Sequence, residues 1–509
     1  MGKYITKEEY QNIRPRLKQE KKKVILCHGV FDLVHPGHIL HFQEAKNQGD
    51  ILVVSITSSK YVRKGPGRPY FDDEMRVKFL EAIECIDYVM ISENDTAADI
   101  IDVVEPTLYV KGREYEKAED DITGKIDEEV EGVRRHGGEV YYTSGAVFSS
   151  TKLINNLMPV FSEEMKEYLL DFGNRYTMDD ILRNTEQIRK LKILVIGDAI
   201  IDKYTYCSIQ GLMSKDMGYS ARYQKEEEYL GGSFAVANHL ASFSPNVTIT
   251  SIIGNESDIH SRLLNDMSDK MHLNLVYSQS YPTIIKQRFI TQNEKREEFH
   301  KVFSINNLPN PMIIDQESMD VFVDRLKKKI AEYDMVVVCD FGHGLITKEV
   351  MELVQEQGKF LAVNCQTNSS NYGLNVITKY HKADVFALDQ KELKLAYPAY
   401  DMKEAESLQS LSKHLKCDGW LTRGALGAYG ISQMQVQECP AFTLKVKDTI
   451  GAGDAFYAIA SLYRAVGAPM ELGTFMGNIA GALAANIVGN KEAVDKINVL
   501  KYASTLLNI

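Results

Sequence analysis

The chain has 509 residues, of which 44% are hydrophobic and 25% are charged, and its formal net charge is −11 at pH 7. A chain of this length exceeds one ordinary hydrophobic core, so we expect two or three domains. The acidic balance disfavours a general nucleic-acid binder, and its apolar runs are all shorter than the roughly 20 residues of a membrane-spanning helix, so we expect neither a nucleic acid nor a membrane as partner.

The first block of the chain alternates strand-like and helix-like segments. Its strand-like runs are KKVILCHGVFD, ILVVSIT, YVMIS, TLYVKG and GEVYYTSG. Between them lie helix-like segments such as HILHFQEAKNQGD and FDDEMRVKFLEAIECID. Continuous apolar strands that alternate with helices predict a parallel sheet covered on both faces. We assign this Rossmann-like α/β domain to residues 1–158.

Residues 159–190 contain no strand pattern and predict two amphipathic helices that link two domains. The strand-like run KILVIGDAIID then opens a second block, assigned to residues 191–509. It contains a polar, β-compatible stretch (GYSARYQKEEEYLGG), four further strand-like runs and helical segments rich in small residues near its end. The predicted fold class is therefore α/β, with two Rossmann-like domains.

The stretch CHGVFDLVHPGHILHF, residues 27–42, predicts an anion site in the first domain. An apolar strand ends there, and a helix is predicted to begin near Pro36, which suits the first helical position. His35 and His38 then straddle a helix N-terminus, where free N–H groups and the helix dipole favour an anion. Gly37 would let a phosphate approach the backbone closely.

Two other interpretations of His35 and His38 remain open. A metal site would need a third ligand, and the nearest candidate, His41, lies one helical turn further along the chain. A plain helix cap would need neither the proline nor the glycine. A phosphate site accounts for both of these residues together with the histidines.

This block resembles the cytidylyltransferase-like family, whose signature is H-x-G-H in a strand–turn–helix setting. GRPYFDDEMRVKFLEAIECIDYV and DIIDVVEPTLYVKGREY resemble the adenylyltransferase half of bacterial bifunctional ADP-heptose synthases. GGEVYYTSGAVFSSTKLINNL is similar to the end of that domain. The resemblance implies that His35 and His38 stabilise charge on the α-phosphate and that Lys46 neutralises the incoming substrate phosphate. It also implies phosphate and nucleotide contacts from Gly29, Phe31, Gly37, Lys111, Arg113, Ser149, Ser150 and Thr151.

The stretch DTIGAGDAF, residues 448–456, predicts a second anion site with different chemistry. Gly451, Ala452 and Gly453 form a turn of backbone N–H groups that leads into an apolar helix. An alcohol that attacks a γ-phosphate must lose a proton, and a carboxylate beside the turn can remove it. We therefore predict that Asp454 is a catalytic base.

The second block resembles the ribokinase-like (PfkB) carbohydrate kinases, and within them the kinase half of the ADP-heptose synthases. ILVIGDAIIDKYTY, YLGGSFAVANHLAS and LTRGALG carry the resemblance. It implies a ribokinase-like fold with a small β lid and a homodimer formed through lid strands. The implied substrate contacts are Asp198, Asp202, Gly231, Gly232 and Asn238. The implied nucleotide contacts are Thr422, Gly424, Gly427, Gly451, Ala452 and Gly453, and Glu392 would act indirectly on Mg²⁺.

The second block departs from the family pattern around the sugar. Ala235 stands where the family has Asn, and Asn364-Cys365-Gln366 replaces a D-P-K sequence. The P-N-x-x-E motif has become Asp389-x-x-Glu392. The order of the two domains is also reversed. Because the residues of phosphoryl transfer are kept, this pattern favours an active kinase with an altered substrate.

These observations predict a bifunctional enzyme of nucleotide-activated sugar synthesis. The kinase would use Mg²⁺ and ATP on a sugar or sugar phosphate, and the transferase would use ATP or CTP and release pyrophosphate. The resemblance implies heptose substrates and a separate phosphatase between the two steps. The alternatives are a kinase and cytidylyltransferase that makes a CDP-linked polyol or another sugar, or a protein with one degenerate domain in a regulatory or scaffold role. Seven scattered cysteines without a C-x-x-C pair predict a cytoplasmic location.

Overall fold

The computed structural model divides the chain into two compact units. The first unit comprises Met1–Gly173 and Leu500–Ile509, and the second comprises Asn174–Val499. The structure describes residues 2–62, 64–65, 67–94, 96–112, 126–143, 155, 161–215, 217–256, 267, 269–293, 298–309, 311–398, 403–443 and 446–508.

The compact units differ from the domain boundaries predicted from the sequence, which stay a prediction. Residues 159–190, predicted as a linker, do not form a unit of their own, because the first unit continues to Gly173. The sequence pattern assigns residues 500–509 to the second domain, yet their contacts place them in the first unit. The last ten residues of the chain thus belong with its first part.

The first unit is built on a six-stranded parallel sheet. Its strands are β1 (Lys3–Tyr4), β2 (Val24–Gly29), β3 (Ile51–Thr57), β4 (Tyr88–Ser92), β5 (Leu108–Gly112) and β6 (Glu139–Thr143). They lie in the order β1-β4-β3-β2-β5-β6, and every neighbouring pair is parallel. The carboxyl ends of all six strands therefore share one edge, which is where α/β sheets bind ligands.

Helices cover both faces of this sheet. They are α1 (Lys7–Gln19), α2 (Pro36–Lys46), α3 (Asp73–Glu81), α4 (Ala98–Val104), α5 (Ile126–Arg135) and α6 (Glu163–Arg175). Alternate residues of β2 enter two different core clusters, because successive side chains of a strand point to opposite faces. Leu26 lies in one cluster with Val53, and Ile25 lies in the other with Leu52. This double burial explains why the strands read as continuous apolar runs.

The second unit contains a nine-stranded sheet. Its strands are β7 (Ile193–Gly197), β10 (Val247–Gly254), β11 (His272–Ser278), β14 (Met335–Asp340), β15 (Leu361–Cys365), β16 (Val385–Asp389), β17 (Asp418–Thr422), β18 (Ala428–Ser432) and β19 (Gln435–Cys439). The order is β11-β10-β7-β14-β15-β16-β17-β18-β19. The pairs from β11 to β17 are parallel, and β18 and β19 add antiparallel.

A separate four-stranded sheet forms the small lid. It consists of β8 (Ala199–Leu212), β9 (Tyr219–Gly232), β12 (Ile284–Asn293) and β13 (Glu298–Asn307), in the order β13-β12-β8-β9. Strands β8 and β12 are parallel, and the outer pairs are antiparallel. The prediction of two Rossmann-like α/β domains, the second with a β lid, is confirmed.

The helices of the second unit include two that are almost entirely buried. The set is α7 (Met178–Ile188), α8 (Ser233–Ala241), α9 (Gln316–Lys329), α10 (Lys348–Gln357), α11 (Gln390–Ala396), α12 (Glu404–Leu415), α13 (Ala452–Ala465) and α14 (Met470–Ala484). The last helix, α15 (Lys496–Leu507), begins in the second unit, and its residues 500–507 belong to the first. Helices α13 and α14 lie so close that a Cβ added at Gly477 would be 2.9 Å from the Cβ of Ala460. Among the described residues, no helix combines the length and the apolarity needed to cross a bilayer.

A capping box at the start of α7 gives a stability prediction. The Thr177 hydroxyl accepts a hydrogen bond from the backbone N–H of Asp180 at 3.3 Å, and the Asp180 carboxylate accepts from the N–H of Thr177 at 2.9 Å. We expect Thr177→Ala to lower the free energy of unfolding by about 1 kcal/mol, measured by denaturant titration. Thr177→Ser keeps the acceptor and is the control. Equal stability of the Ala and Ser variants would contradict this role of the cap.

Candidate active sites

The turn between β2 and α2 brings two imidazoles together at a helix N-terminus. His35 is the N-cap residue in an extended conformation, and Pro36 follows at the first helical position. The rings of His35 and His38 stack, with centroids 3.9 Å apart and planes inclined by 19°. The predicted pair is thus placed side by side where backbone N–H groups favour an anion.

Burial disfavours the charged form of both histidines of this pair. Desolvation lowers the pKa of His35, and desolvation together with the charge of His35 lowers the pKa of His38 to about 3. A neutral imidazole offers one N–H donor and one acceptor. The pair can therefore donate hydrogen bonds to a phosphate, and it does not bring two positive charges to the site.

Phe31 forms the apolar wall of this turn. Its backbone φ is 45°, a value that non-glycine residues rarely adopt. Its ring meets the His38 ring edge to face with centroids 5.3 Å apart. A Cβ added at Gly29 would lie 3.1 Å from the Phe31 ring, so the glycine gives the ring its place. Gly29 and Phe31, both predicted nucleotide contacts, thus lie at the turn.

The other two histidines near this turn are held by hydroxyl groups. His41 Nδ1 lies 3.0 Å from the Thr143 hydroxyl, and burial lowers the pKa of His41 to about 4. His28 Nδ1 and Nε2 each lie 3.3 Å from a hydroxyl, those of Ser55 and Thr57. These contacts give the two rings structural partners at the carboxyl edge of the sheet.

Lys46 is not brought to the histidine pair. It is the last residue of α2, an 11-residue helix about 15 Å long, whereas the histidines lie at the start of that helix. Its ammonium group donates to the Asp87 carboxylate at 2.5 Å and to the carbonyl oxygen of Asp50 at 2.6 Å. Asp50 and Asp87 precede β3 and β4, at the opposite edge of the sheet. Lys46 therefore lies at the edge opposite the histidine pair, and the catalytic role that the resemblance implies for it stays a prediction.

Lys111 lies at the carboxyl end of β5, on the correct edge. Its ammonium group forms a nearly buried ion pair with Glu129 at 2.8 Å and lies 5.0 Å from the centre of the Tyr109 ring. Lys111 thus stays a predicted phosphate contact. The remaining predicted contacts of this domain fall outside the described residues: Arg113, Ser149, Ser150 and Thr151.

Two arginines that were not predicted as site residues organise the same edge. Arg76 is fully buried, and its guanidinium donates to the carbonyl oxygens of Val30 at 2.7 Å and Thr57 at 2.9 Å. It therefore ties the turn after β2 to the end of β3. Arg68 lies 3.7 Å from Asp32, and the Asp32 carboxylate accepts two backbone N–H bonds from the segment that follows Arg68. The GRPYFDDEMR sequence contains both arginines, but its local pattern does not predict that their side chains point toward the turn after β2.

The second unit places Asp454 behind a glycine turn. Gly451 has φ 81° and is the N-cap of α13, so Asp454 is the third helical residue. A Cβ added at Gly453 would meet no atom of the described residues within 4 Å, which leaves room beside the turn. Burial raises the pKa of Asp454 to about 6, while a hydrogen bond from the Gln366 side chain to Oδ1, at 2.6 Å, opposes the rise. The predicted base and anion turn are thus adjacent.

Asp202 lies against the glycine pair Gly231-Gly232. A Cβ added at Gly231 would be 2.2 Å from the Asp202 carboxylate, so any larger residue would displace it. The two carboxylate oxygens accept from Arg288 Nη1 at 2.5 Å and from Asn490 Nδ2 at 2.9 Å. Gly232 follows with φ 57°, a conformation suited to glycine.

Asp198 is buried next to a strand-end turn. Its carboxylate accepts from the backbone N–H groups of Phe341 at 3.2 Å and His343 at 3.3 Å. Burial raises its pKa to about 7, and the nearby Asp340 carboxylate contributes to the rise. A carboxyl group with such a pKa can donate as well as accept a hydrogen bond near neutral pH.

Lys286 is a cation of this site that was not predicted from the sequence. It lies on β12 of the lid, and desolvation lowers its pKa. The carboxylates of Asp202, Asp198 and Asp454 oppose that shift. One lysine thus interacts with three of the four predicted acidic residues of the second unit. The signal in the sequence is weak, because TIIKQRFITQ shows only a strand pattern.

The other predicted residues of the second unit occupy turns and a helix. Gly424 has φ 57° and Gly427 has φ 91°, and a Cβ added at Gly427 would lie 2.1 Å from the carbonyl oxygen of Cys439. Thr422 ends β17, with its hydroxyl 3.4 Å from the Leu388 carbonyl oxygen. Asn238 is half-buried on α8. Their nucleotide and substrate contacts stay predictions.

Glu392 belongs to a capping box. Its two carboxylate oxygens accept from the backbone N–H groups of Thr367 at 3.0 Å and Asp389 at 2.9 Å, and burial raises its pKa to about 8. Within the described ranges, no three His, Cys, Asp or Glu side chains are grouped as a metal ion would require. These residues do not fit a metal held by the protein alone, and the indirect role of Glu392 toward Mg²⁺ stays a prediction.

Comparisons with known proteins agree with this division of the chain. A family model described as Cytidylyltransferase-like matches residues 26–156, and one described as pfkB family carbohydrate kinase matches residues 190–496. The bifunctional protein HldE of Geobacter metallireducens is 36% identical over 152 residues, which is 29% of each chain. HldE of Citrifermentans bemidjiense is 40% identical over 121 residues, or 23% of each chain. The chain thus matches less than a third of the length of these curated relatives.

Solved structures are also similar to this chain. Escherichia coli phosphofructokinase-2 in complex with substrates and products has a TM-score of 0.49 and 16% identity, and covers 62% of this chain and 99% of its own. Arabidopsis thaliana ribokinase complexed with ribose and ATP has a TM-score of 0.47 and 17% identity, and covers 62% of this chain and 98% of its own.

The Gln366 contact gives a prediction for the acidity of Asp454. Gln366→Leu removes a donor to the carboxylate, so we expect the pKa of Asp454 to rise above about 6. The carboxyl group of Asp454 would then stay protonated to a higher pH. A carboxyl-carbon NMR titration of ¹³C-labelled protein measures the shift, with Gln355→Leu as the control, because the Gln355 side chain binds the backbone of His381 and Lys382 instead. An unchanged or lower pKa would contradict the assigned contact.

Proposed function

The chain belongs to the pfkB family of carbohydrate kinases, and from this premise we propose that its second unit transfers the γ-phosphate of ATP to a hydroxyl group of a sugar phosphate. The first unit, we propose further, joins a sugar phosphate to a nucleotide and releases pyrophosphate. The observation that carries the proposal is the position of Asp454. It is a carboxyl group of raised pKa on the first turn of α13, directly behind the Gly451 turn.

Phosphoryl transfer follows from that arrangement. Asp454 takes the proton of the sugar hydroxyl while the hydroxyl oxygen attacks the γ-phosphorus of ATP. The bond between the γ-phosphorus and the oxygen that bridges the β- and γ-phosphates breaks, and ADP leaves. A pKa of about 6 leaves the carboxyl group mostly ionised at neutral pH and still basic enough to accept a proton. The backbone N–H groups at Gly451–Gly453 donate hydrogen bonds that stabilise the negative charge developing on the phosphate.

Lys286 completes the charge balance of the kinase site. Its ammonium group interacts with the carboxylates of Asp198, Asp202 and Asp454. Because water is largely excluded from around this lysine, each of these interactions is stronger. Mg²⁺ would arrive on the ATP phosphates, where it neutralises charge between the β- and γ-phosphates. The roles of Asp454 and Lys286 do not depend on where the ion binds.

Nucleotidyl transfer needs a different arrangement. The attacking oxygen belongs to a sugar phosphate that is already ionised, so no base is required. It forms a bond to the α-phosphorus while the bond between the α-phosphorus and the bridging oxygen breaks, and pyrophosphate leaves with the electron pair. His35 and His38, as neutral imidazoles, would donate N–H bonds to the α-phosphate oxygens.

The substrate proposal rests on the resemblance and on the relatives. The partial matches to HldE proteins support heptose 7-phosphate for the kinase and heptose 1-phosphate with ATP for the transferase. The kinase product would then carry one phosphate more than the transferase accepts, so a separate phosphatase acts between the steps. CTP in the transferase site, with a CDP-linked product, is the alternative that a nucleotide comparison separates.

We place this chemistry in the cytoplasm and in a homodimer. All seven cysteines lie within the described residues and are free thiols, which suits a reducing compartment. The lid exposes the large apolar side chains of Tyr219, Tyr223, Phe303 and Ile305, which a second lid could cover. We expect analytical ultracentrifugation at several protein concentrations to show a dimer for the wild type and a monomer for Phe303→Glu. A wild-type monomer at all concentrations would refute the dimer.

A pair of reciprocal variants tests whether each unit catalyses the reaction proposed for it. Asp454→Asn removes the base, and we expect sugar-dependent ADP release to fall by about 10²- to 10⁴-fold while pyrophosphate release is retained. His38→Ala removes a phosphate donor, and we expect pyrophosphate release to fall by about 10²- to 10³-fold while ADP release is retained. Both activities are measured on the intact chain with a panel of sugar phosphates.

The reciprocal outcome also excludes the scaffold alternative. If Asp454→Asn leaves ADP release unchanged, the base is another group and the kinase proposal is wrong. If the wild-type chain shows only one of the two activities, the other unit is degenerate. Circular dichroism of both variants controls for loss of folding.

A further inference from the structure

The last residues of the chain lie outside both family matches, although they fold with the first unit. The pfkB match ends at residue 496, and the cytidylyltransferase-like match covers residues 26–156. Residues 500–509 nevertheless belong by their contacts to the first unit. The buried face of this segment includes Tyr502, Ala503 and Leu506. The terminal segment, residues 500–508, is therefore an integral part of the unit that carries the histidine pair.

Asn155 connects the terminal segment to Arg68. The asparagine is fully buried. Its side-chain nitrogen donates to the carbonyl oxygens of Thr505 at 2.8 Å and Asn508 at 3.0 Å. Its side-chain oxygen accepts from Arg68 Nη2 at 2.7 Å. These three hydrogen bonds join the end of the chain to one arginine.

Arg68 is held between this amide and a carboxylate. Its side chain is 3% exposed, and Nη1 lies 3.7 Å from Asp32. Asp32 belongs to the same turn as the histidine pair, since it lies between β2 and α2. A buried guanidinium needs several fixed partners to keep one orientation, and the terminal segment helps to supply them. The segment can therefore influence the geometry of the site.

The terminal segment also brings positive charge to the same place. The loop at Gly65 lies against it, since a Cβ added there would be 3.4 Å from Thr505 and 3.7 Å from Tyr502. The neighbouring Lys64 has its pKa lowered, and the positive charges of Lys501 and Arg68 contribute to this shift. Arg68 and Lys501 thus both act on Lys64, and a bound polyphosphate would balance the positive charge of these three side chains.

We propose that the terminal segment is a positioning element of the nucleotidyltransferase site, which fixes Arg68 through Asn155 and places Lys501 beside the phosphates of the bound nucleotide. The proposal rests on the nucleotidyltransferase function proposed above. It assigns to residues that follow the kinase-matched part of the chain a role in the other reaction. The ligand class is a nucleoside triphosphate or the pyrophosphate that it releases.

A purely structural role makes a different prediction. If the segment only covered apolar surface, the charge at position 501 would be irrelevant, and changes at Lys501 would leave substrate affinity intact. If it positions phosphate-binding cations, neutralising Lys501 should raise the KM for the nucleotide more than it lowers kcat. The two roles therefore separate in kinetics and in ligand binding.

The test uses the intact chain with Lys501→Ala, Lys501→Arg and Asn155→Ala. Lys496→Ala, on the same helix but outside the terminal segment, is the matched control. Pyrophosphate release is measured with ATP and with CTP, and ADP release reports the kinase. Binding of inorganic pyrophosphate, measured by calorimetry, needs neither the sugar nor catalysis. It therefore tests the proposal even where the proposed reaction fails.

We expect Lys501→Ala to raise the nucleotide KM and the pyrophosphate dissociation constant about tenfold, with ADP release unchanged and Lys501→Arg close to wild type. Asn155→Ala should raise the same KM. Equal pyrophosphate binding by wild type and Lys501→Ala would overturn the proposal, and so would equal losses in both reactions. A wild-type chain that binds pyrophosphate without releasing it from any nucleotide would refute the proposed reaction and leave the phosphate-binding role supported.

Discussion

Both candidate sites depend on the interaction of an anion with the N-terminus of a helix that follows a turn. In the first unit Pro36 begins such a helix at the carboxyl end of β2, and in the second unit Gly451 caps one with a positive φ. In the proposed reactions, the free N–H groups of these turns would bind phosphate without supplying a proton acceptor. The side chain beside each turn must therefore decide which reaction the bound phosphate undergoes.

Desolvation gives those side chains their different chemistry. In the first unit it keeps His35 and His38 neutral, which suits a nucleophile that arrives ionised. In the second unit it raises the pKa of Asp454 toward neutrality, which suits a hydroxyl that must lose a proton. The same physical effect thus produces hydrogen-bond donors in one unit and a base in the other, because it always disfavours the charged form.

Local sequence patterns predicted the fold and the two turns, but they did not predict contacts between residues that are far apart in the chain. Strand–helix alternation and the two glycine-containing turns are local, so they predicted both Rossmann-like units and the position of Asp454. Lys46 lies away from the histidine pair, because a helix of 11 residues that begins at the carboxyl edge ends near the opposite edge, so its predicted role is untested. Lys286 and the Asn155 bridge could not be predicted, since the bridge joins residues 350 positions apart.

A crystal structure of the intact chain with a non-hydrolysable ATP analogue tests the central claim most directly. We predict that the γ-phosphate lies at the N–H groups of Gly451–Gly453, with the Asp454 carboxylate close enough to take a proton from a hydroxyl poised at about 3 Å. We also predict phosphate density at the N-terminus of α2, beside the His35 and His38 rings. Phosphates bound away from both helix termini would contradict the claim.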